Sequence, residues 1–417
     1  MRPANVDAGL HVWTGHALRR LHGNHKEAGR KNDSIRKCPR SWANLATFGK
    51  GISLFRTKVV LVASLITALI TLGMTTASAG AVAHDTNTIP SIQPAAIACT
   101  STTCVITGAN VTTGGASTAL LNPSTGAIKL GPSNGYFVYD TGLACPNKTT
   151  CIGLGEHNFV ETTVDISPRS GAQKVVSNIS MTSRISTLFG IACLGSEYCL
   201  VYGDTSPFGG SAFLAKVSPT GKILKRTVDK SYEQYADIAC ESARTCLVAR
   251  EVKNSTYQSV TMASGEFGKK PYGYPKNYMP LYSSCYSYKL CYSSGITGNT
   301  LSPNPQVTSL NPKTGAPGKA FNLPLADTEN VELGIACYSS TQCVVVGEVA
   351  KGKGSNQTTY AAYVIITKGR IGKPVLVSTS KGSSLITVSC ASPQECYAIG
   401  SYFDSTTDNS VTLIAKV

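Results

Sequence analysis

Fourteen of the fifteen cysteines form seven close pairs that recur at a nearly constant distance along the chain. The first cysteines of successive pairs are separated by 46, 48, 47, 45, 52 and 53 residues. The pairs are Cys99 with Cys104, Cys145 with Cys151, Cys193 with Cys199, Cys240 with Cys246, Cys285 with Cys291, Cys337 with Cys343 and Cys390 with Cys396. A period of this length indicates a repeat array in which each repeat is one supersecondary unit.

Each repeat contains four short segments of strand composition separated by turn sequences. The second cysteine opens an apolar, often β-branched run, and a glycine stands four positions after it in six of the seven repeats. Asn-Pro-x-Thr-Gly sequences at 122–126 and 311–315 are typical of turns, because proline suits the first central position and glycine supplies a positive φ. These features predict an all-β fold: a seven-bladed β-propeller with four antiparallel strands per blade.

The last repeat is shorter than the others. Only 21 residues follow Cys396, which is enough for two strands but not for a complete blade. We therefore predict that residues 88–94 supply the missing outer strand. Pro90 and Pro94 would be tolerated there, because an outer strand is an edge strand.

The first 83 residues differ from the rest of the chain. Residues 1–58 contain 12 Lys or Arg against three acids, which is most of the formal net charge of +15. We predict a disordered basic leader at 1–58, although a later start of translation near Ile52 or Leu54 is an alternative. We predict one apolar helix at 59–83, either the core and cleavage region of a signal peptide or an uncleaved membrane anchor, and the propeller at 84–417.

The repeat resembles one found in secreted actinobacterial proteins, in which C-x(4–5)-C-x-x-x-G motifs lie within propeller blades of the sialidase-like and photosystem-assembly-factor-like superfamily. The resemblance covers about residues 99–417, through the pair of Cys99 and Cys104 and its six counterparts. It implies an architecture and no particular activity. The aspartate box of true sialidases, S-x-D-x-G-x-T-W, requires a tryptophan, and the last tryptophan here is Trp42.

Seven cysteine pairs could be disulfides or zinc ligands. Zinc sites favour C-x-x-C spacing, whereas these pairs have four or five intervening residues, lie a blade apart and have only His84 and His157 nearby. Paired cysteines in an exported chain favour disulfides. We predict seven local disulfides, each closing the hairpin between the first two strands of a blade and contributing about 2 kcal/mol by the chain-entropy model.

Acidic residues stand five positions after the second cysteine in four repeats: Glu156, Asp204, Glu251 and Glu348. Equivalent positions in neighbouring blades would form part of a ring. That ring could be a cation or substrate site, or simply solvated charge on hairpins.

Tyrosine is concentrated between residues 257 and 292. Prolines and glycines in the same stretch predict a long irregular loop, and exposed tyrosine rings can stack on ligands. We predict a ligand-binding wall formed by Tyr272, Tyr274, Tyr278, Tyr282 and Tyr288. The alternative is that these rings pack between blades, because Ser283-Ser284-Cys285 has lost the aliphatic residue found before other first cysteines.

The chain lacks nucleophile, P-loop and dinucleotide motifs, so no catalytic residue, cofactor or metal is predicted. We predict an extracellular or cell-surface binding module for a protein, glycan or cell-wall component, without nucleic-acid binding and touching a membrane only through 59–83. A glycan-active hydrolase or lyase and a structural surface-layer role are alternatives. Two carboxylates about 5–10 Å apart in the axial channel would favour the enzyme, whereas hydroxyl groups there would favour binding.

Overall fold

The computed structural model describes much of the chain from residue 86 onward. The described ranges are 86–89, 91–113, 115–133, 137–157, 160–179, 187–193, 196–205, 211–229, 234–242, 245–251, 256–261, 266–267, 271–275, 277–299, 302–326, 333–352, 357–406 and 409–417. The predicted leader (1–58) and apolar helix (59–83) lie outside these ranges. None of the described residues forms an apolar helix long enough to cross a membrane.

The described residues form antiparallel sheets that follow one another along the chain. Sheet 1 contains β2 (Ile92–Cys99), β3 (Cys104–Asn110), β4 (Ala116–Leu121) and β5 (Ile128–Leu130). Sheet 2 contains β6 (Phe137–Ala144), β7 (Cys151–His157), β8 (Val160–Ile166) and β9 (Gln173–Asn178). Sheet 3 contains β10 (Thr187–Cys193), β11 (Cys199–Asp204), β12 (Ala212–Val217) and β13 (Ile223–Asp229).

Two of the next three sheets have five strands. Sheet 4 contains β14 (Gln234–Ser242), β15 (Thr245–Glu251), β16 (Thr256–Thr261), β17 (Glu266–Phe267) and β18 (Tyr272–Gly273). Sheet 5 contains β19 (Tyr278–Tyr286), β20 (Leu290–Asn299), β21 (Ser302–Leu310) and β22 (Pro317–Asn322), with a 3₁₀ turn, η1 (Ser287–Lys289), between its first two strands. Sheet 6 contains β23 (Ile335–Cys337), β24 (Gln342–Lys351), β25 (Thr358–Thr367), β26 (Arg370–Ile371) and β27 (Val375–Leu376).

The fifth strand of sheets 4 and 6 arises because their outer strand is divided in two. β17 and β18 both pair with β16, and β26 and β27 both pair with β25. Pro271 directly precedes β18 and Pro374 directly precedes β27. Proline has no backbone N–H to donate to a ladder, so an outer strand is interrupted there.

The remaining sheet, sheet 7, joins the two ends of the described chain. It contains β28 (Ser384–Ser392), β29 (Glu395–Asp404), β30 (Asn409–Lys416) and, on its outer edge, β1 (Thr86–Ile89). Thr86 pairs with Ala415 and Ile89 with Thr412. The prediction that an N-terminal segment completes the last sheet is confirmed, but its position is shifted: residues 92–99 form β2, the first strand of sheet 1.

The first strand of each sheet, which we call its inner strand, contacts the inner strand of the next sheet. The inner strands are β2, β6, β10, β14, β19, β23 and β28. β28 contacts β2 in turn, so the sheets close into a ring around an axis. A closed ring of radial antiparallel sheets is the arrangement of a β-propeller.

The predicted fold class is wrong as stated. It was a seven-bladed propeller with four antiparallel strands in every blade and an apolar helix before it. Six blades, rather than seven, are built from consecutive strands of one chain segment, and sheet 7 is a composite of both ends. Two of those six blades have five strands because of the interrupted outer strands. The only helix among the described residues is the short η1.

Apolar side chains fill the spaces between neighbouring sheets. Val344 and Val346 pack toward sheet 7, whereas Val345 packs toward sheet 5, so successive residues of one strand serve two interfaces. This explains why the middle strands are continuously apolar instead of alternating. At the junction of sheets 4 and 5, the described residues form a small buried apolar cluster of Leu247, Ala249, Cys291 and Leu310.

The glycine four positions after the second cysteine has a steric cause. Most inner strands carry a β-bulge four residues before their first cysteine, as between Pro94 and Ala96 in β2 and between Leu385 and Thr387 in β28. A Cβ added to Gly108 would overlap the carbonyl oxygen of Gln93, just before the bulge. Gly295 and Gly400 meet the equivalent carbonyl oxygens in their own sheets.

Replacing Gly108 with Ala should therefore lower the melting temperature by about 3–10 °C. The added methyl group overlaps the Gln93 carbonyl oxygen and lies 2.8 Å from Ile92 Cγ2, and overpacking of this kind costs about 1–3 kcal/mol. Gly273→Ala is the matched control, because no atom lies within 4 Å of a Cβ built there. Differential scanning calorimetry of both variants checks the prediction, and equal melting temperatures would contradict it.

The predicted Asn-Pro-x-Thr-Gly turns are present and also join neighbouring sheets. Asn122 Oδ1 accepts hydrogen bonds from the N–H groups of Ser124 and Thr125, and Gly126 has a φ of 71°. The carbonyl of Pro123, in the same turn, accepts a 2.8 Å hydrogen bond from the Tyr397 hydroxyl of sheet 7. The turns therefore help to hold the ring together.

Candidate functional site

All seven cysteine pairs are disulfide-bonded in the structure, each cysteine to its nearest partner along the chain. The bonds join Cys99 to Cys104, Cys145 to Cys151, Cys193 to Cys199, Cys240 to Cys246, Cys285 to Cys291, Cys337 to Cys343 and Cys390 to Cys396. The structure thus contains the local pairing that the spacing predicts. Paired cysteines in disulfides indicate an oxidising environment such as the extracellular space.

The two cysteines of each disulfide are register partners at the end of the first hairpin of a sheet. Cys240 of β14 faces Cys246 of β15, and the first cysteine of sheet 6 faces Cys343 of β24 in the same way. The Cα atoms of the seven pairs are 3.8–4.2 Å apart. These separations are shorter than the usual range of about 4.4–6.8 Å for disulfides. The paired cysteines lie directly opposite each other on adjacent antiparallel strands.

The second cysteines lie deeper in the sheets than the first. Cys246 and Cys343 are both fully buried and belong to apolar clusters between neighbouring sheets, Cys246 between sheets 3 and 4 and Cys343 between sheets 5 and 6. Their sulfur atoms therefore contribute to the packing of the blades as well as to the crosslinks. A buried cysteine behaves as a small apolar side chain.

The first cysteines also form contacts from one sheet to the next. The Cys99 Sγ lies 3.6 Å from the carbonyl oxygen of Ser389, and the Cys337 Sγ lies 3.5 Å from that of Ser284. The N–H groups of the same two cysteines donate hydrogen bonds of 3.0 and 2.9 Å to the hydroxyls of Ser389 and Ser284. The disulfide ends of the inner strands are therefore held side by side around the axis.

The last residues of the inner strands enclose a cavity of about 310 Å³ on the propeller axis. The cavity ends at the first cysteines, where the disulfide hairpins surround its mouth. We call the end of the propeller that carries these hairpins the hairpin face. Because adjacent strands are antiparallel, the turns after the third strands lie at the same end.

The position three residues before the first cysteine lines this cavity in five sheets and varies among all seven. In sheets 1, 2, 3 and 6 it holds Ala96, Gly142, Gly190 and Gly334. In sheets 4, 5 and 7 it holds Asp237, Tyr282 and Thr387, all of which line the cavity. The fold therefore accepts a residue with little or no side chain here, and the polar groups of the other three sheets are not required by the architecture.

Asp237 is the one acidic residue among the described residues that line the cavity. Its carboxylate is buried and accepts hydrogen bonds from the Ser283 hydroxyl and from the N–H groups of Ser283 and Ile238. Its Oδ2 atom has no hydrogen-bond partner among the described residues, so those bonds fall on Oδ1. Burial raises the pKa of Asp237 to about 8, against the opposing effect of these hydrogen bonds.

Ser283 is the second departure from the repeat at this junction. It stands two residues before Cys285, where five other sheets have isoleucine or valine and sheet 2 has leucine. The two departures belong to neighbouring sheets and contact one another. Each residue is visible in the sequence as a departure from the repeat. Only the tertiary structure shows that the Ser283 hydroxyl donates a hydrogen bond to the Asp237 carboxylate.

Aromatic rings occupy the same arc of the cavity as Asp237. Tyr202 of sheet 3 and Tyr282 of sheet 5 both line it. The ring of Tyr202 fills the space beside Gly190, because a Cβ on that glycine would lie 2.6 Å from Tyr202 Cε1. The acidic and aromatic part of the wall therefore belongs to sheets 3, 4 and 5, whereas the described cavity residues of sheets 1 and 2 are aliphatic residues and cysteines.

The tyrosines predicted to form one ligand-binding wall lie in different environments. Tyr272 and Tyr274 are half-buried, Tyr282 lines the cavity and Tyr288 is 60% exposed in η1. Tyr278 is buried and stacks on Tyr274 with ring centroids 4.9 Å apart. The structure therefore does not place them on one surface, and the predicted irregular loop is wrong where residues 278–286 form β19.

Tyr278 packs in the core of its own sheet, against Ser293 and Gly295 of β20. Its hydroxyl donates a 2.8 Å hydrogen bond to the carbonyl of Ser293, and a Cβ on Gly295 would lie 2.8 Å from its Cζ. Burial raises the pKa of Tyr278, which therefore remains neutral at physiological pH. The burial of Tyr278 agrees with the alternative to a ligand-binding wall, in which the tyrosine rings pack in the core.

Two tyrosines of sheet 5 project from the hairpin face. Tyr286 directly follows Cys285 and is 41% exposed, and Tyr288 is more exposed still. Ser287, between them, has a φ of 52°, which turns the hairpin sharply. These exposed rings follow Cys285, which lines the cavity, and they belong to the same sheet as Tyr282.

The acids five residues after the second cysteine lie at the end of the propeller opposite the hairpin face. Asp204 is buried, and Glu156 is half-buried and pairs in register with Glu161 of β8. Burial, reinforced by the Glu156 carboxylate, raises the pKa of Glu161 to about 8. The described residues contain no group of three His, Cys, Asp or Glu side chains arranged to hold a metal ion.

Solved structures with the same overall arrangement are other β-propellers. YCF48 bound to D1 peptide aligns with a TM-score of 0.52 and 8% identity, covering 80% of this chain and 96% of that one. The WD40 β-propeller domain of Doa1 aligns with a TM-score of 0.50 and 9% identity, covering 80% and 94%. At such identities the likeness shows the β-propeller fold alone.

No family model and no curated protein matches this chain. The resemblance of its repeats to secreted propellers is therefore supported for the propeller architecture only. The finer superfamily and the actinobacterial origin stay predictions.

Proposed function

We propose that this protein is an exported, disulfide-stapled binding module that recognises a protein partner at the hairpin face. One observation carries the proposal: the departures from the repeat gather where sheets 4 and 5 meet the axial cavity. Asp237, Tyr282 and Ser283 line the cavity, and the exposed Tyr286 and Tyr288 follow Cys285, which lines it too. Exposed aromatic rings around a cavity with a few polar groups are typical of recognition sites.

Other observations support binding rather than hydrolysis. Glycoside hydrolysis requires two carboxyl groups flanking the scissile bond, and Asp237 is the one carboxyl among the described cavity residues. Four residues that carry hydroxyl groups, Ser283, Ser284, Thr387 and Ser389, line the same cavity. YCF48, whose fold is similar, binds a peptide of D1. A protein segment is thus the class of ligand that we favour over a glycan or cell-wall polymer.

Replacing both exposed tyrosines by serine should abolish partner capture without changing stability. Both rings are solvent-exposed on the hairpin, and aromatic anchors of interfaces typically contribute about 2 kcal/mol or more, which is about 30-fold in affinity. The measurement is photo-crosslinking of the purified protein to extracellular and cell-surface proteins, followed by titration of the captured protein. The melting temperature should stay within about 1 °C.

Phe403→Ser is the matched control, because Phe403 is 56% exposed at the opposite end of the propeller. It should leave capture unchanged. Equal capture by the double tyrosine variant and the parent protein would contradict the proposal. Capture that survives protease treatment of the cell surface but is lost after glycan removal would assign the ligand to the glycan class instead.

A further inference from the structure

We propose that the hairpin face binds an acidic segment of a protein partner, whose carboxylates contact exposed lysine and arginine side chains on the loops of that face. This inference rests on the proposed function, because it names the chemistry of the partner that the binding module would recognise. We call these exposed side chains the basic arc, and its members are Lys148, Arg169, Lys222, Lys289, Lys313 and Lys368.

The basic arc lies on loops that the topology brings to one end of the propeller. Lys148 and Lys289 lie in the disulfide hairpins of sheets 2 and 5, and the other members lie in the turns after third strands. The two kinds of loop meet in sheet 6, where the N–H of Lys368 donates a 2.7 Å hydrogen bond to the carbonyl of Thr341 in the disulfide hairpin. The arc therefore spans sheets 2, 3, 5 and 6 of the hairpin face.

Acidic side chains are scarce on the same face. The described loops there contain one exposed acid, Glu197, and Glu395, directly after the hairpin of sheet 7, is half-buried. The acids Glu156, Asp204 and Glu348 lie at the opposite end of the propeller. The charges of the described residues are therefore polarised along the axis, and a positive surface attracts acidic partners and speeds their association.

Protection of sheet edges does not explain the basic arc. Lysine on an outer strand discourages pairing with another chain, and Lys129, Lys174 and Lys225 fit this role on β5, β9 and β13. The members of the arc stand beyond the strand ends, in loops that have no strand edge to protect. Solubility requires charge on the surface but does not require it on one face.

Exposed aromatic rings accompany these charges, which favours a protein segment over an anionic polymer. Tyr286 and Tyr288 lie beside Lys289 in the hairpin of sheet 5, and the Lys289 Nζ atom is 5.9 Å from the centre of the Tyr288 ring. A segment with acidic and apolar residues can contact the ammonium group and the ring together. A polymer of repeated phosphates would use the charges and leave the rings without an apolar contact.

The test couples acetyl-Glu-Glu-Phe-Glu-Glu-amide to lysine amines of the full chain with a water-soluble carbodiimide. Mass spectrometry of the digested protein quantifies coupling at each lysine, which separates the hairpin face from the basic residues of 1–58. Coupling at Lys289 should exceed that at Lys351 and Lys381, exposed at the opposite end, by at least about tenfold. It should fall about tenfold between about 0.05 and 0.5 M salt, because the Debye length shortens.

Reversal of charge within the arc provides a matched comparison. The double variant Lys222→Glu, Lys313→Glu should lower coupling at Lys289 about tenfold, because two attractive groups become repulsive. The double variant Lys351→Glu, Lys381→Glu changes the net charge equally at the opposite end and should lower this coupling less than about threefold. All four replaced side chains are exposed, and calorimetry checks that both variants are folded.

Several outcomes would overturn the inference. These are coupling at Lys289 no higher than at Lys381, equal loss of coupling in the two double variants, or coupling that does not change with salt. A probe with serine in place of phenylalanine should couple to Lys289 at least about threefold less. Equal coupling of the two probes would assign the face to polyanions in general and refute a protein segment as its occupant.

The two proposals fail in distinguishable ways. Tyrosine-dependent capture of a partner that withstands high salt and the Lys222→Glu, Lys313→Glu double variant would remove the acidic segment and leave the binding module. Coupling concentrated on the basic arc without any tyrosine-dependent capture would remove the binding module and leave a face that binds acidic peptides.

Discussion

Removing β1 should lower the melting temperature by about 10 °C and promote aggregation. β1 is the outer strand of sheet 7 and pairs with β30 over four register positions. Without it β30 becomes an unpaired edge, and the space filled by Ile89 between sheets 7 and 1 opens. Loss of that buried side chain alone costs about 1.5–3 kcal/mol, and the lost strand pairing adds to it.

Two N-terminal truncations that differ only in this strand provide the comparison. A chain of residues 86–417 retains β1, and a chain of residues 90–417 lacks it. Calorimetry gives the melting temperatures, and light scattering coupled to size-exclusion chromatography gives the association state. Identical melting curves and monomeric behaviour for both chains would show that sheet 7 does not need its N-terminal strand.

Asp237→Asn should stabilise the ligand-free protein, by about 5 °C at about pH 8.5. The carboxylate is buried with one oxygen lacking a partner among the described residues, and burial raises its pKa from 3.8 to about 8. The amide keeps the shape and remains neutral, so the unfavourable burial of charge disappears. A gain in stability on removing an acid at a cavity is the behaviour expected of a binding residue rather than a structural one.

The pH dependence of this gain has a definite sign. A folded-state pKa above the unfolded one contributes stability that is complete below about pH 4 and is lost as pH rises to about 8. The difference between Asp237→Asn and the parent protein should therefore be small at about pH 4 and largest above about pH 8. Asp165→Asn is the comparison: burial raises the pKa of Asp165 as well, against the opposing effect of Lys174, so its pH-dependent difference should have the same sign and be smaller. A pH-independent loss of stability in Asp237→Asn would refute the prediction.

Local chemistry makes much of the repeat predictable. The disulfides join cysteines five or six residues apart, and a hairpin of that length brings them opposite each other without help from the rest of the fold. The turns at 122–126 and 311–315 are equally local, since Asn side chains cap them and glycine takes the positive φ. Closure by an N-terminal strand was predictable from the missing length after Cys396.

The interrupted outer strands and the position of β2 are harder to predict. Sequence rules place Pro94 on an outer edge strand. In the structure Pro94 lies in the inner strand β2, directly before the β-bulge of that strand. The bulge interrupts the regular register there, so proline is tolerated in an inner strand. A sequence pattern that assumes regular strands does not contain this information.

The candidate site depends on contacts between sheets. Ser283 and the tyrosine-rich segment are visible as departures from the repeat, but they predict an exposed loop, whereas Tyr278 fills a gap in the core. Asp237 is not found in this way, because a single acid in a strand carries no local signal. An alignment of the repeats on their first cysteines would have shown it standing where other blades have glycine or alanine.

The sequence by itself determined the repeat, the strands, the turns and the crosslinks, because each of these is decided by interactions within a few dozen residues. The tertiary structure alone decided which side chains share the axis. Cavity residues come from sheets that are about 50 residues apart in sequence or on opposite sides of the ring, and their contact depends on ring closure and on the bulges that aim them inward. The environment that raises the pKa of Asp237 exists only after the ring has formed.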